Sequence, residues 1–191
     1  MEKVVSQERQ RIHPHKFTLW VAIASITMMF AGLTSAYLVR SKQANWLRFE
    51  IPVTFYFSTL AILLSSLTLY LSVKAYKVRE ISKHKNLLLL TAFLGFLFLC
   101  LQTYGFYYLH SNGVLLVSEG SNPAGSFLGV IFGLHSIHLL GGIVALFIIA
   151  YRAFNINIRN YSTQPFDLLS SYWHFVDFLW IYLFLFFLLA R

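Results

Sequence analysis

The sequence predicts an all-α integral membrane protein, a bundle of five transmembrane helices, and three observations carry that prediction. The first is composition: of 191 residues, 58% are hydrophobic and 12% charged, with a mean hydropathy of +0.65, a balance far from that of a soluble domain. The second is a set of five apolar runs, at residues 17–39, 53–73, 87–109, 126–151 and 166–190. Each approaches the ~20 residues that cross about 30 Å of hydrocarbon as a helix. The third is that Pro14, Pro52, Pro123 and Pro165 all fall outside the runs and just ahead of one. Proline is tolerated at a helix start, where its missing N–H costs nothing, and is damaging in a helix interior.

Taken in order, residues 1–16 form a polar tail without a cleavable-signal pattern, expected to be retained, and residues 17–191 form a single transmembrane domain. The first and second runs are entered through Pro14 and Pro52, while the third follows Asn86, an expected N-cap. The loop at residues 110–125 holds Asn112-Gly113 and a stretch from Gly120 to Gly125 rich in turn formers, so it is expected to be irregular. No run contains a proline, which argues against the broken helices of a transporter. Cys100, the single cysteine, lies mid-helix, has no disulfide partner and is expected to be inert packing.

The net charge of +8 is distributed by side and not by patch. Eleven lysines and arginines fall in the tail, the second loop and the fourth loop; Arg40, Lys42, Arg48 and Arg191 fall on the opposite side. The positive-inside rule then puts the N-terminus in the cytoplasm and the C-terminus outside. Anionic headgroups explain the basic loops better than the phosphates of a nucleic acid.

The chemistry concentrates in the last two runs. Tyr172-Trp173-His174-Phe175-Val176-Asp177-Phe178-Leu179-Trp180 puts a carboxylate near the midpoint of a membrane-length segment, where an acidic group costs roughly 3 kcal/mol on insertion scales. His174 and Asp177, three residues apart, share a helix face and can meet each other or one common partner. In the fourth run Gly125, Gly129 and Gly133 form a small-residue ridge suited to close helix approach. His135 and His138 lie roughly 200° away on the same helix. Depth matching places His138 level with Asp177, so His135, His138, His174 and Asp177 are expected to form an intramembrane polar cluster, with His138–Asp177 as a candidate pair. A metal site needs three or four converging ligands, and a bis-histidine haem needs a ring-sized gap between its ligands. With no cysteine near and one carboxylate available, no metal or cofactor is expected in this chain. The dense aromatics of the last run cover every face of the helix and read as packing.

These residues resemble a known family. Trp173-His174-Phe175-Val176-Asp177 with Leu179-Trp180 is similar to the C-terminal signature of subunit III of haem-copper oxidases. Gly133-Leu134-His135-Ser136-Ile137-His138 resembles the family's Gly-x-His-x-x-His signature one helix earlier, and Phe30-Ala31-Gly32-Leu33 with Ala36-Tyr37 resembles the first helix of its five-helix form. The resemblance implies the non-catalytic subunit III of a proton-pumping cytochrome c oxidase in a bacterial cytoplasmic membrane. Haem and copper are then expected in partner subunits, with subunit I as the main partner and membership of a respiratory supercomplex left open. It further implies bound phospholipid, support of proton uptake and resistance to inactivation in turnover. Arg152 falls at a position similar to the family's lipid-headgroup arginine, Asp167 at a family acidic position, and His13 and His15 resemble histidines near a proton entrance. The family often carries a glutamate after the first-helix serine, whereas here Ser25 is followed by Ile26. The equivalent subunit of a quinol oxidase or nitric-oxide reductase shares these motifs. A small haem-b electron carrier and a stand-alone transporter are the readings from other classes.

Overall fold

The computed structural model describes residues 14–42, 51–114, 122–155 and 164–190. These residues form five α-helices: α1 (Pro14–Arg40), α2 (Thr54–Lys77), α3 (Ile81–Ser111), α4 (Pro123–Asn155) and α5 (Gln164–Leu189), all long and apolar enough to cross a membrane. Most outrun the apolar segments that announce them, because a helix continues into the interfacial zone after hydrophobicity has ended. Asn86 is therefore not an N-cap: α3 starts five residues earlier, after Glu80. Likewise, Pro123, Ala124 and Gly125 are not irregular loop but the first turn of α4. Asn122 Oδ1 accepts a hydrogen bond from the Ala124 N–H at 3.0 Å, and Pro123 takes the first helical position, where it lacks only an N–H that has no partner anyway.

The turns on the second and third helices have a shared design. After α2, Arg79 takes a left-handed conformation (φ 62), Glu80 N–H donates to Ala75 O and Arg79 N–H to Tyr76 O, both at 3.0 Å. After α3, Gly113 (φ 85) does the same, with Val114 N–H on Leu109 O and Gly113 N–H on His110 O. Both are Schellman closures that satisfy the last carbonyls of a helix.

Helices α2, α3, α4 and α5 form a ring in which each touches the next and α5 touches α2; α1 lies outside it, against α4 and α5, and approaches neither α2 nor α3. The core is aromatic and aliphatic, centred on Trp173, Trp180, Phe98, Phe55 and Phe132. Close approach is made possible by glycines. The Trp173 ring packs against Gly95 of α3 and Gly142 of α4, and the Phe55 ring against Gly105 of α3. The expected ridge of α4 behaves differently: Gly125 is buried, Gly129 half-buried and Gly133 exposed, with nothing within 4 Å of where a Cβ would sit.

Candidate polar site within the bundle

Helix α2 carries a ladder of hydroxyls that organises the polar groups of the bundle. Ser58, Ser65 and Ser72 recur every seven residues, are fully buried and face α3. Gln102 Nε2 donates to Ser58 Oγ at 2.9 Å, Ser65 Oγ donates to Thr91 O at 3.3 Å, and Ser72 Oγ donates to His84 O at 3.1 Å while His84 Nδ1 lies 3.0 Å from Ser72 O. Thr68 and Thr91 join their hydroxyls at 2.9 Å. A second pair, Thr59 and Ser66, also seven apart, faces α5: Trp180 Nε1 donates to Thr59 Oγ1 at 3.0 Å, and Ser66 Oγ lies 2.6 Å from His174 Nδ1. In hydrocarbon such bonds between helices add to van der Waals packing, because lipid offers a polar group no partner.

His174 and Asp177 thus look toward α2 together. His174 is half-buried and bonded to Ser66; Asp177 is buried, and the Ser66 hydroxyl is within reach of its carboxyl. Neither carboxyl oxygen has a partner of full hydrogen-bond geometry among the described residues. The two histidines of α4 go elsewhere. His135 is buried with its ring 5.3 Å from Trp180 and 6.2 Å, edge-on, from Phe98, and neither ring nitrogen has a partner among the described residues. His138 turns its ring toward Phe30 of α1 at 6.0 Å and holds Nδ1 2.7 Å from its own helix's Leu134 O.

The expected single cluster is therefore corrected, and with it the candidate His138–Asp177 pair, which does not form. Similar depth is not enough, since three residues of helical offset turn His135 toward α3 and α5 and His138 toward α1. The link between α4 and α5 at this level is instead the Tyr172 hydroxyl, which donates to His138 O at 2.9 Å. Among the described residues, no three His, Cys, Asp or Glu side chains gather as a metal site would require. Cys100 is exposed on the outer surface of α3 and not packed inside.

At the basic end of the bundle, Arg152 is exposed in the last turn of α4. Asp167, in the first turn of α5, pairs with Lys77 of α2 at 3.1 Å. His15 is exposed and lines a groove with Lys16, Lys77 and Asp167; His13 lies outside the described residues. Ile26, where the family often has glutamate, is an ordinary apolar contact against the core. The hydroxyl ladder was open to discovery in the sequence, as a seven-residue recurrence of serine inside an apolar run. His84, fully buried between the Tyr76 and Phe166 rings, each 4.9 Å away, gave no such signal, since it stands between Lys83 and Lys85 in an apparently solvated stretch.

The family model for cytochrome c oxidase subunit III matches residues 14–190. A probable cytochrome c oxidase subunit 3 of Nocardia farcinica is 29% identical, over 92% of this chain and 90% of its own length. The cytochrome bo(3) ubiquinol oxidase subunit 3 of Buchnera aphidicola is 31% identical over 89% and 90%. The cytochrome c oxidase subunit 3 of Bacillus subtilis is 28% identical over 86% and 81%. With the match running from the start of α1 to the end of α5, this multi-pass membrane chain belongs to the cytochrome c oxidase subunit III family and is part of a multi-subunit oxidase.

Proposed function

We propose that the chain is the non-catalytic subunit III of a proton-pumping cytochrome c oxidase in a bacterial cytoplasmic membrane, where it stabilises the catalytic subunit, binds phospholipid and supports proton uptake. The observation that carries the absence of a redox role is the way the membrane-embedded polar groups are used. His174 is held by Ser66, His138 by its own helix and His84 by Ser72, while His135 is flanked by the rings of Trp180 and Phe98. The Ser66–His174 and Ser72–His84 bonds fasten α2 to α5 and to α3. The family's role in upkeep of the catalytic subunit supports the remainder of the reading, with Arg152 as a headgroup contact and His13 and His15 at the side from which protons enter.

The likeness to the ubiquinol oxidase subunit of Buchnera favours one further reading, a quinol oxidase, in which the architecture and duties are unchanged and only the electron donor differs. Affinity purification of the complex through this chain, with haem quantification and partner identification, tests both. Co-purification of a haem-bearing catalytic subunit is expected, and a copper-binding second subunit identifies cytochrome c as donor. The isolated chain is expected to show no Soret band; a stoichiometric one would overturn the cofactor-free assignment.

A further inference from the structure

The interior of the helix ring holds polar atoms that the hydroxyl ladder does not reach. Among the described residues, the Trp173 indole N–H, both carboxyl oxygens of Asp177, Gln102 Oε1 and both ring nitrogens of His135 are buried without a hydrogen-bond partner of full geometry. Trp173 is 0% exposed, His135 2%, and Asp177 and Gln102 3%, so no lipid headgroup lies against them. They fall into two layers. In the first, the Trp173 ring sets Cε3 and Cζ3 against Gly142 of α4, and Cζ2 and Cη2 against Gly95 of α3. Cζ2 shares its edge of the indole with Nε1, and Cε3 lies on the opposite edge, so the N–H is turned away from α4. Asp177 is one turn further along the same face of α5, with its carboxyl toward Ser66 of α2. The second layer repeats the first after seven residues, or about two turns: Trp180 follows Trp173 on α5, Gln102 follows Gly95 on α3, and His135 precedes Gly142 on α4. The 5.3 Å separation of the His135 and Trp180 rings places them in one layer. Here the Trp180 N–H goes to Thr59 and Gln102 Nε2 to Ser58, which leaves the amide oxygen and the imidazole.

We propose that the bundle interior binds two structural water molecules, one accepting the Trp173 N–H and donating to the Asp177 carboxyl, the other joining His135 to Gln102 Oε1. The chemistry of the atoms selects this ligand. Each pair sets a donor against an acceptor: an indole N–H with a carboxyl, and an imidazole N–H with an amide oxygen. A metal ion between the first pair would meet an N–H that cannot ligate it, and an anion would meet the carboxyl of Asp177. Water donates and accepts at once, and buried waters satisfy roughly two to four otherwise unpaired polar groups each. Trp173 and Asp177 share a face yet make no direct bond, because the indole is pinned between Gly95 and Gly142 while the carboxyl is drawn toward Ser66. The carboxyl deep in the membrane is then solvated by a molecule carried inside the protein, with no counter-ion needed. Both sites are built from this chain alone and are independent of the electron donor.

The test uses the intact detergent-solubilised oxidase purified through the full chain. A density map that resolves ordered water is expected to show one peak about 2.5–3.2 Å from both Trp173 Nε1 and an Asp177 oxygen, and a second at the same range from a His135 nitrogen and Gln102 Oε1. Radiolytic hydroxyl-radical labelling, which oxidises side chains beside bound water, gives a second readout by mass spectrometry. Trp173 is expected to be labelled in the wild type and in Asp177→Asn, which keeps a carbonyl acceptor. In the assembled fraction of Asp177→Leu, which keeps none, the label falls to the unirradiated background. A direct side-chain bond within either pair, a map without both peaks, or a peak at the ~2.0–2.6 Å of a metal–oxygen bond would overturn the assignment. So would Trp173 labelling that survives Asp177→Leu or is lost in Asp177→Asn. Failure of a haem-bearing subunit to co-purify would overturn the proposed function instead, and the map of the purified chain would still decide the water sites.

Discussion

Trp173 can sit fully buried against α3 and α4 only because neither helix presents a side chain at that level. A Cβ added at Gly95 would stand 2.9 Å from the indole Cη2 and 3.0 Å from Cζ2, whereas carbon atoms rest ~3.5–4.0 Å apart. The ring has little room to retreat, since a Cβ at Gly142 would already lie 3.2 Å from its Cε3. Overpacking of this kind costs ~1–3 kcal/mol, and replacing a helical glycine by alanine returns about 0.5–1 kcal/mol. Taking the middle of each range, Gly95→Ala is therefore expected to destabilise the chain by ~1 kcal/mol. Gly133→Ala is the control: with nothing within 4 Å of the added Cβ, only the helix-propensity gain of about 0.5–1 kcal/mol is left. The assay is unfolding of the isolated chain in mixed micelles titrated with a denaturing detergent, followed by tryptophan emission. A neutral Gly95→Ala, or a Gly133→Ala as damaging as Gly95→Ala, would refute the packing argument.

Three other experiments probe the polar ladder and the groups it holds. A double-mutant cycle on Ser66→Ala and His174→Ala is expected to give a coupling of ~0.6 kcal/mol, with ~1.7 as the upper end for hydrogen bonds between membrane helices; additive effects in the same micelle titration would show that the 2.6 Å contact contributes nothing. Thr59→Val removes the acceptor of the Trp180 indole N–H and should cost ~1–3 kcal/mol, the penalty for stranding a buried donor; an unchanged unfolding midpoint would count against it. Asp177→Ala should lower the yield of assembled oxidase while proton uptake by the complexes that do form stays normal. Proton-uptake kinetics on the purified variant check this, and normal assembly with altered uptake would contradict it.

The reach of the sequence differs between the fold and the site. Residue types in a line reveal where a chain must be apolar, so the five spans and the placement of prolines at helix starts were legible. Helix ends were less so: α3 begins at Ile81, well before its apolar run, since hydrogen bonding continues the helix where hydropathy no longer reports it. The face-sharing of His174 and Asp177 followed from a three-residue spacing, because both lie on one helix whose geometry is fixed. Their partner Ser66 lies on another helix, and only packing brings it there.

The same distinction explains the errors. Gly133 belongs to a ridge drawn by periodicity yet has nothing within 4 Å of where a Cβ would sit, whereas Gly95, Gly105 and Gly142 receive rings, because a ring fills a glycine notch only where a neighbouring helix delivers it. His138 and Asp177 were matched by depth, a quantity the sequence supplies; azimuth about the bundle axis, which it does not supply, sends them to different neighbours.

By itself, then, the sequence determined that this chain lives in a membrane, how often it crosses, and through its motifs which family it joins, because these depend on local composition and spacing. The tertiary structure alone decided that α2 is the polar spine, that the histidines go separate ways, and that α1 stands splayed above a charged groove. Those depend on the rotation and tilt of each helix, which are set by the summed packing of every helix against the others.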